Sequence, residues 1–427
     1  MPDSILRAAK QDGCREKRTV GRGRFGACWL LTAVVALGWS AEICAQNWKP
    51  VAIPIRTPFA ENVSPANVWP EYPRPDLRRR EWLNLNGLWD YAVIGRSREW
   101  KGGRLENARD SLLAGEVQPP SRWSGKILVP FCIESSLSGV GQIVRPDQTL
   151  WYRRTFQVPE GWRDRRVVLN FEAVDWHCRV WVNGREVGEH RGGYDPFSFD
   201  ITDALLPGEA DQELLVGVWD PTNIGDQAVG KQSLPEMRRG YRYTPTTGIW
   251  QTVWLEPVPE NAIAGLRIVP SIDGQVRVQA KTTAATPGTR IEVVASENGR
   301  PIARGEGPAE DAVVCRIPNP KLWTPDEPHL YDLRVRLLEQ GRIVDEVESY
   351  VGLREIAIKT NVDGPSQILL NGRPIFQFGP LDQGYWPDGI LTPPSDEAAR
   401  FDVAYLKEIG CNMVRVHVKV HPRRWYY

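Results

Sequence analysis

The chain has 427 residues, enough for roughly two to four domains at ~100–200 residues each. Its 41% hydrophobic and 25% charged content is that of an ordinary soluble protein. Lysine plus arginine balance aspartate plus glutamate at 53 each and the body carries no long basic run, which argues against a nucleic-acid partner, since phosphate binding needs a positive footprint.

The N-terminus departs from this. Arg15, Lys17, Arg18, Arg22 and Arg24 precede the apolar run Ala27 to Trp39, and small residues follow at Ser40, Ala41 and Ala45. That order predicts a secretory signal over 1–45. The run is shorter than the ~20 residues a membrane span needs. The expected product is secreted or periplasmic, with no stable membrane insertion after cleavage; an uncleaved anchor is the alternative. Of the seven cysteines, Cys132, Cys178, Cys315 and Cys411 lie beyond the leader, with no CxxC and no histidine at metal spacing. Buried free thiols are expected rather than disulfides or a zinc site. The sequence implies no metal and no cofactor.

Residues 46–80 are rich in Pro and Arg and read as an extended lead-in. From Leu83 the pattern is all-β. Short alternating runs, bounded by Gly, Pro, Asn and Asp, predict strands at 87–93, 126–130, 151–158, 166–171, 178–182, 213–219 and 249–256. Asn183-Gly184 is the strongest hairpin signal. The stretch 81–260 reads as a sandwich or jelly roll. A second all-β unit, 261–359, has expected strands at 266–270, 276–282, 290–296, 312–316, 330–339 and 343–351, which suits an immunoglobulin-like sandwich.

The character changes over 360–427. Strands at 368–370 and 374–378 flank the turn Asn371-Gly372, and a Pro/Gly-rich loop runs from Gly379 to Pro394. Ser395 is a good N-cap, with Asp396 and Glu397 at the positive end of a helix dipole. Ala399, Val403, Leu406 and Ile409 predict one apolar helix face, and Gly410 ends the helix. A strand is expected at 412–418. Strand, loop, helix and strand together make the opening unit of a parallel barrel.

Seven motifs occur in order along the chain: Leu85-Asn86-Gly87-Leu88-Trp89, Trp151 to Phe156, Phe171-Glu172-Ala173-Val174-Asp175, His190 to Phe197, Gly248 to Glu256, Leu370 to Pro374 and Gly410 to His417. This ordered set resembles glycoside hydrolase family 2, the family of β-galactosidases, β-glucuronidases and β-mannosidases. The resemblance covers about residues 80–427. It implies a jelly-roll sugar-binding domain, an immunoglobulin-like sandwich, and the start of a catalytic (β/α)₈ barrel. It also implies a retaining glycosidase acting on β-linked glycans, with two glutamates about 5–5.5 Å apart. The family places both on later barrel strands. No Asn-Glu pair follows Asn371, and Glu397 and Glu408 fall on the helix. No catalytic residue is therefore assigned within 1–427, and the expectation is a chain without turnover of its own.

What remains is part of a sugar pocket. In β-galactosidases the loop after the first barrel strand carries an Asn and a His-Glu pair; here Leu381 and Gln383-Gly384 stand there, which argues against galactose. Asp382 and Gln383 offer hydrogen bonds to hydroxyls, and Tyr385 or Trp386 a stacking face; a plain polar loop is the alternative. Arg415 matches the family's strand-end Arg, suited to orienting a carboxylate, or else to a structural salt bridge. His417, two residues on, shares its face; a packed strand-end histidine is the alternative. Asp220 matches a family Asp that reaches the pocket, and equally suits an Asx-type turn before Pro221. Tyr194, Asp195 and Phe197 read as structural. The expected partner is an oligosaccharide or glycoside, with a homo-oligomer left open. A non-catalytic carbohydrate-binding protein or an adhesion module are the competing readings, and neither needs the barrel-like segment.

Overall fold

The computed structural model describes residues 48–96, 118–208, 210–284, 287–360 and 364–427. The leader expected at 1–45 lies outside the described residues. All described residues belong to one unit, Asn47–Tyr427.

The first β region is two facing sheets. One has six antiparallel strands in the order Gly125–Val129, Gly87–Gly95, Gln148–Phe156, Gln212–Trp219, His177–Val182, Arg185–Arg191. The other has four, in the order Leu83–Asn84, Val253–Val258, Arg166–Phe171, Phe197–Asp200. Their inward residues, among them Trp89, Ile127, Tyr152, Val180 and Val216 from one sheet and Leu169, Phe171 and Leu255 from the other, share one buried cluster. The Asn183-Gly184 hairpin forms as its sequence requires, with φ of 50° and 77°, the two left-handed positions of a type I′ turn. The run expected as one strand at 249–256 divides into Gly248–Ile249 and Val253–Val258. Between them Trp250 turns its indole N–H to the Gly193 carbonyl at 2.7 Å.

The second β region pairs a three-stranded sheet, Ile263–Pro270, Gln275–Thr282, Val313–Arg316, with a four-stranded one, Arg300–Pro308, Arg290–Glu297, Tyr331–Glu339, Arg342–Val351. The inward valines and leucines of both form a second cluster. Strand Arg300–Pro308 is absent from the sequence expectation. Its alternation is broken by Gly305 and Gly307, and the reason for glycine is steric: a Cβ on Gly305 would stand 2.4 Å from the Val314 carbonyl oxygen of the opposite sheet. A short strand Phe197–Asp200 in the first region was likewise not predicted.

The lead-in binds these layers. Arg79, 6% exposed, reaches Asp345 of the second region at 2.6 and 2.9 Å, and Glu256 of the first at 3.5 Å. Glu256 also accepts from Tyr72 at 2.5 Å, Trp254 at 2.6 Å and Arg74 at 2.8 Å. Trp69 donates to the Pro393 carbonyl at 3.0 Å, and Thr57 bonds Asp388.

Over 364–427, Gln367–Leu370 lies between Ile356–Lys359 and Arg373–Pro374 in an antiparallel sheet. The strand expected at 374–378 shrinks to that two-residue arm. Instead, Leu381–Asp382, expected as loop, pairs in parallel with Arg415–Val416. Backbone bonds from Asn412 N–H to Phe378 O, Arg415 N–H to Pro380 O and His417 N–H to Asp382 O extend the ladder. Pro374 and Pro380 lack donors, which shortens the regular strand. Helix α1, Asp396–Glu408, crosses between the parallel strands, capped by Ser395 Oγ accepting from Ala398 N–H at 3.2 Å. Its first turn is buried at Ala398 and Ala399. The rest of the expected apolar face is not: Val403 is 44% and Ile409 52% exposed, because the described parallel sheet is only two strands wide. A single-turn helix α2, Arg423–Tyr426, follows.

Candidate functional site

An open cleft of about 430 Å³ lies at the C-terminal ends of the parallel pair, lined by Asp382 to Trp386, Asp402, His421, Trp425 and Tyr243. C-terminal strand ends of parallel sheets are where such folds form their sites. Asp382 is its polar centre. It accepts from Gly384 N–H at 2.7 Å, bonds His421 Nε2 at 2.5 Å, and has Lys419 Nζ at 3.4 Å from both oxygens. Lys419 Nζ also lies 3.4 Å from His421 Nδ1. An ammonium can only donate, so His421 Nδ1 accepts and Nε2 carries the proton given to Asp382. The imidazole stacks on Trp425, centroids 3.9 Å apart and planes within 7°.

The electrostatics follow from this packing. Burial works to raise the Asp382 pKa, but the His421 hydrogen bond and the Lys419 charge outweigh it and hold the carboxyl at about 2. Burial pulls the Lys419 ammonium down to about 8 against the attraction of Asp382. Burial likewise lowers His421 despite its bond to Asp382, so the ring is neutral at pH 7. Asp402 on α1 has an exposed side chain at the edge of the cleft and is raised by partial desolvation there, then by the Asp382 charge.

Three candidates meet in this cleft: Asp382, Gln383 and Trp386. Gln383 Oε1 is buried and has no partner among the described residues. Trp386 stands edge-on to Phe59, and Tyr385 packs on Tyr243 at 4.7 Å. Arg415 and His417 do not join them. The register pairs Leu381 with Arg415 and Asp382 with Val416, so alternation sends Arg415 and His417 to the face opposite Asp382. Arg415 is exposed on that face. His417 is half-buried on that same face.

Asp220 is not on the cleft wall. It is 1% exposed, accepting from Thr222 N–H at 2.6 Å and Thr247 Oγ1 at 2.8 Å, which is the Asx-turn alternative. It belongs to a buried group with Glu134 and Asp175. Burial raises Asp220 to about 6 and Glu134 to about 8, the latter against a hydrogen bond from Thr247 N–H at 2.9 Å. Asp175 is raised by burial and by Asp220, and is bonded by Gln232 at 2.7 Å.

Sequence reasoning missed Lys419, His421, Asp402 and Trp425. The i, i+2 spacing of Lys419 and His421 beyond a strand was the available signal. Asp402 and Trp425 carried none, since helix packing and the turn into α2 bring them to the cleft.

The residue range 83–259 matches the model of the glycosyl hydrolases family 2 sugar binding domain, and 261–354 matches that of glycosyl hydrolases family 2. A β-galactosidase of Thermoanaerobacter pseudethanolicus is 30% identical over 282 residues, 62% of this chain and 36% of that protein. A putative β-glucuronidase of Formosa agariphila is 24% identical over 366 residues, 82% of this chain and 40% of that protein. The β-glucuronidase of Ruminococcus gnavus, solved with D-glucuronic acid, superposes with a TM-score of 0.60 at 19% identity, over 82% of this chain and 59% of that one. The chain thus spans 36% and 40% of the length of these two curated relatives. Two consecutive family matches joined by a shared fold make the chain a member of glycoside hydrolase family 2.

Proposed function

We propose that residues 1–427 are the glycan-recognising front of a retaining glycosidase of family 2, acting on β-linked glycans in carbohydrate catabolism. In this reading the first sandwich is a jelly-roll sugar-binding domain and the second is immunoglobulin-like. Residues 360–427 open a (β/α)₈ barrel, and the leader directs the protein out of the cytoplasm. The relatives' names point to β-galactosides or β-glucuronides as substrate.

One observation carries the reading: a cleft at parallel strand ends, with aromatic walls and a central carboxylate held by internal partners. Asp382 is bonded to His421, Lys419 and Gly384 N–H, and is held ionised. A carboxylate so occupied can accept from a sugar hydroxyl or position a neighbour. It is poorly placed as a nucleophile and holds no proton to donate as a general acid. The chain by itself is expected to bind glycans without hydrolysing them.

The test uses the purified chain with aryl β-galactoside and aryl β-glucuronide, and calorimetric titration with β-linked oligosaccharides. Binding with release of aglycone no faster than in buffer is the expected result. Sustained hydrolysis would place both carboxylates within 1–427 and overturn the reading.

A further inference from the structure

The loop that joins Gln212–Trp219 of the six-stranded sheet to Gly248–Ile249 is built for more than connection. Its base is locked. Gln232, 2% exposed, donates to Asp175 Oδ2 at 2.7 Å and accepts from Thr246 N–H at 2.6 Å. Ser233 N–H bonds the Tyr243 carbonyl at 3.0 Å, and Tyr243 N–H bonds the Lys231 carbonyl at 2.8 Å, closing the neck. The neck also abuts the cleft. Gly230 has φ of 57°, and a Cβ there would stand 2.6 Å from the Val418 carbonyl, beside Lys419. Tyr243 packs on Tyr385 and lines the cleft itself.

Beyond this rigid neck the tip is exposed, cationic and aromatic. Met237, Arg238, Arg239 and Tyr241 are exposed, Tyr241 at 60%. Tyr241 has Lys231 Nζ 5.7 Å and the Arg242 guanidinium 5.8 Å from its ring centre. The segment 231–243 carries four cations and a single carboxylate, Glu236, which is already paired with Arg145. Among the described residues Lys231, Arg238, Arg239 and Arg242 have no acidic partner, in a chain whose formal charge is zero. A concentrated positive tip held beside a cleft raises the local concentration of anions there. Ring faces beside guanidinium forks suit a pyranose that bears an acidic group.

We propose that the loop 231–243 is a specificity element for an anionic glycan, whose carboxylate or sulfate groups meet Arg238, Arg239 and Arg242 while the adjoining sugar enters the cleft past Tyr243. This rests on the glycan-binding reading above.

The test is native-gel retardation of the purified chain by three polysaccharides: polygalacturonate, a sulfated galactan and a neutral galactan. It is repeated with the Arg238→Gln/Arg239→Gln/Arg242→Gln variant. Arg238 and Arg239 are exposed and Arg242 is half-buried, donating to the Gln232 carbonyl at 3.4 Å, so circular dichroism checks that the variant folds. Expected is retardation by one or both anionic polymers, weakened about tenfold in the variant and by added salt, with any neutral-polymer binding unchanged. Retention by polygalacturonate alone identifies carboxylate as the recognised group, and by the sulfated galactan alone identifies sulfate. Neutral-galactan binding without anionic preference, or equal retardation of the variant, overturns the proposal and leaves the glycan-binding reading intact. Equal retention by duplex DNA overturns it as general polyanion attraction. No retardation by any of the three overturns both.

Discussion

Replacing Arg79 by Met tests whether the lead-in holds the two sandwiches together. The guanidinium is 6% exposed and forms a two-pronged pair with Asp345 at 2.6 and 2.9 Å, a bond to the Ile263 carbonyl at 2.9 Å, and a longer contact to Glu256 at 3.5 Å. Methionine fills much of the same space and removes every donor. Glu256 loses little, since Tyr72, Arg74 and Trp254 still donate to it. Asp345, 7% exposed, keeps only the backbone N–H groups of Ile263 at 2.7 Å and Glu346 at 3.0 Å. Breaking a buried pair from one side costs about 3–5 kcal/mol. The two surviving N–H bonds place this case at the lower end, about 3 kcal/mol, or roughly 4 °C in apparent Tm for a unit the size of Asn47–Tyr427. The assay is thermal unfolding by near-ultraviolet circular dichroism. Arg79→Met/Asp345→Asn removes the orphaned charge and is expected to recover part of the loss. A single variant within about 1 °C of the parent would refute the reasoning, because a surface-like pair is worth that little.

Burial raises Glu134 and Glu172 from 4.5 to about 8, so from pH ~4.5 to ~8 the unfolded chain ionises them while the folded chain keeps them protonated. Their contribution therefore falls with rising pH across that window and is constant above it. Glu134→Gln is expected to flatten the stability profile by about 1 kcal/mol per pH unit in that range, and parallel urea-unfolding profiles would contradict this. Asp382→Asn removes the counter-charge that supports the Lys419 ammonium. The Lys419 pKa is then expected to drop below its present value of about 8, read by NMR titration of the methylated amine, and an unchanged titration would show that the ion pair is not what holds it. Ser395→Ala removes the N-cap acceptor of α1 and is expected to cost about 1 kcal/mol, seen as faster hydrogen exchange at Ala398 N–H.

Much of the β architecture was legible because its signals are local. Asn183-Gly184 can hardly do anything but turn, and the alternation in Arg166–Phe171 or Tyr331–Glu339 names the buried face without reference to any partner. Where a strand answers to a distant neighbour the local signal failed. Gly305 reads as a breaker until Val314 of the other sheet is seen against it. The parallel strand was misplaced for a similar reason: the ladder from Phe378 to Asp382 is set by Asn412 to His417, more than thirty residues away across α1.

The family and its ordered motifs stood in the sequence by itself, as did the aromatic loop at 382–386 and the capped helix after it. Only the tertiary structure decided which of those residues share a site. A register of Leu381 with Arg415 puts Arg415 and His417 on the far face, and the turn beyond Val418 folds Lys419 and His421 back onto Asp382. Asp220 needed its whole surroundings, because a carboxylate before proline is a pocket residue or a turn residue according to what encloses it, and here Thr222 and Thr247 do. Side-chain type is written in the chain. Which face it occupies, and whether water reaches it, is settled by partners far away in sequence.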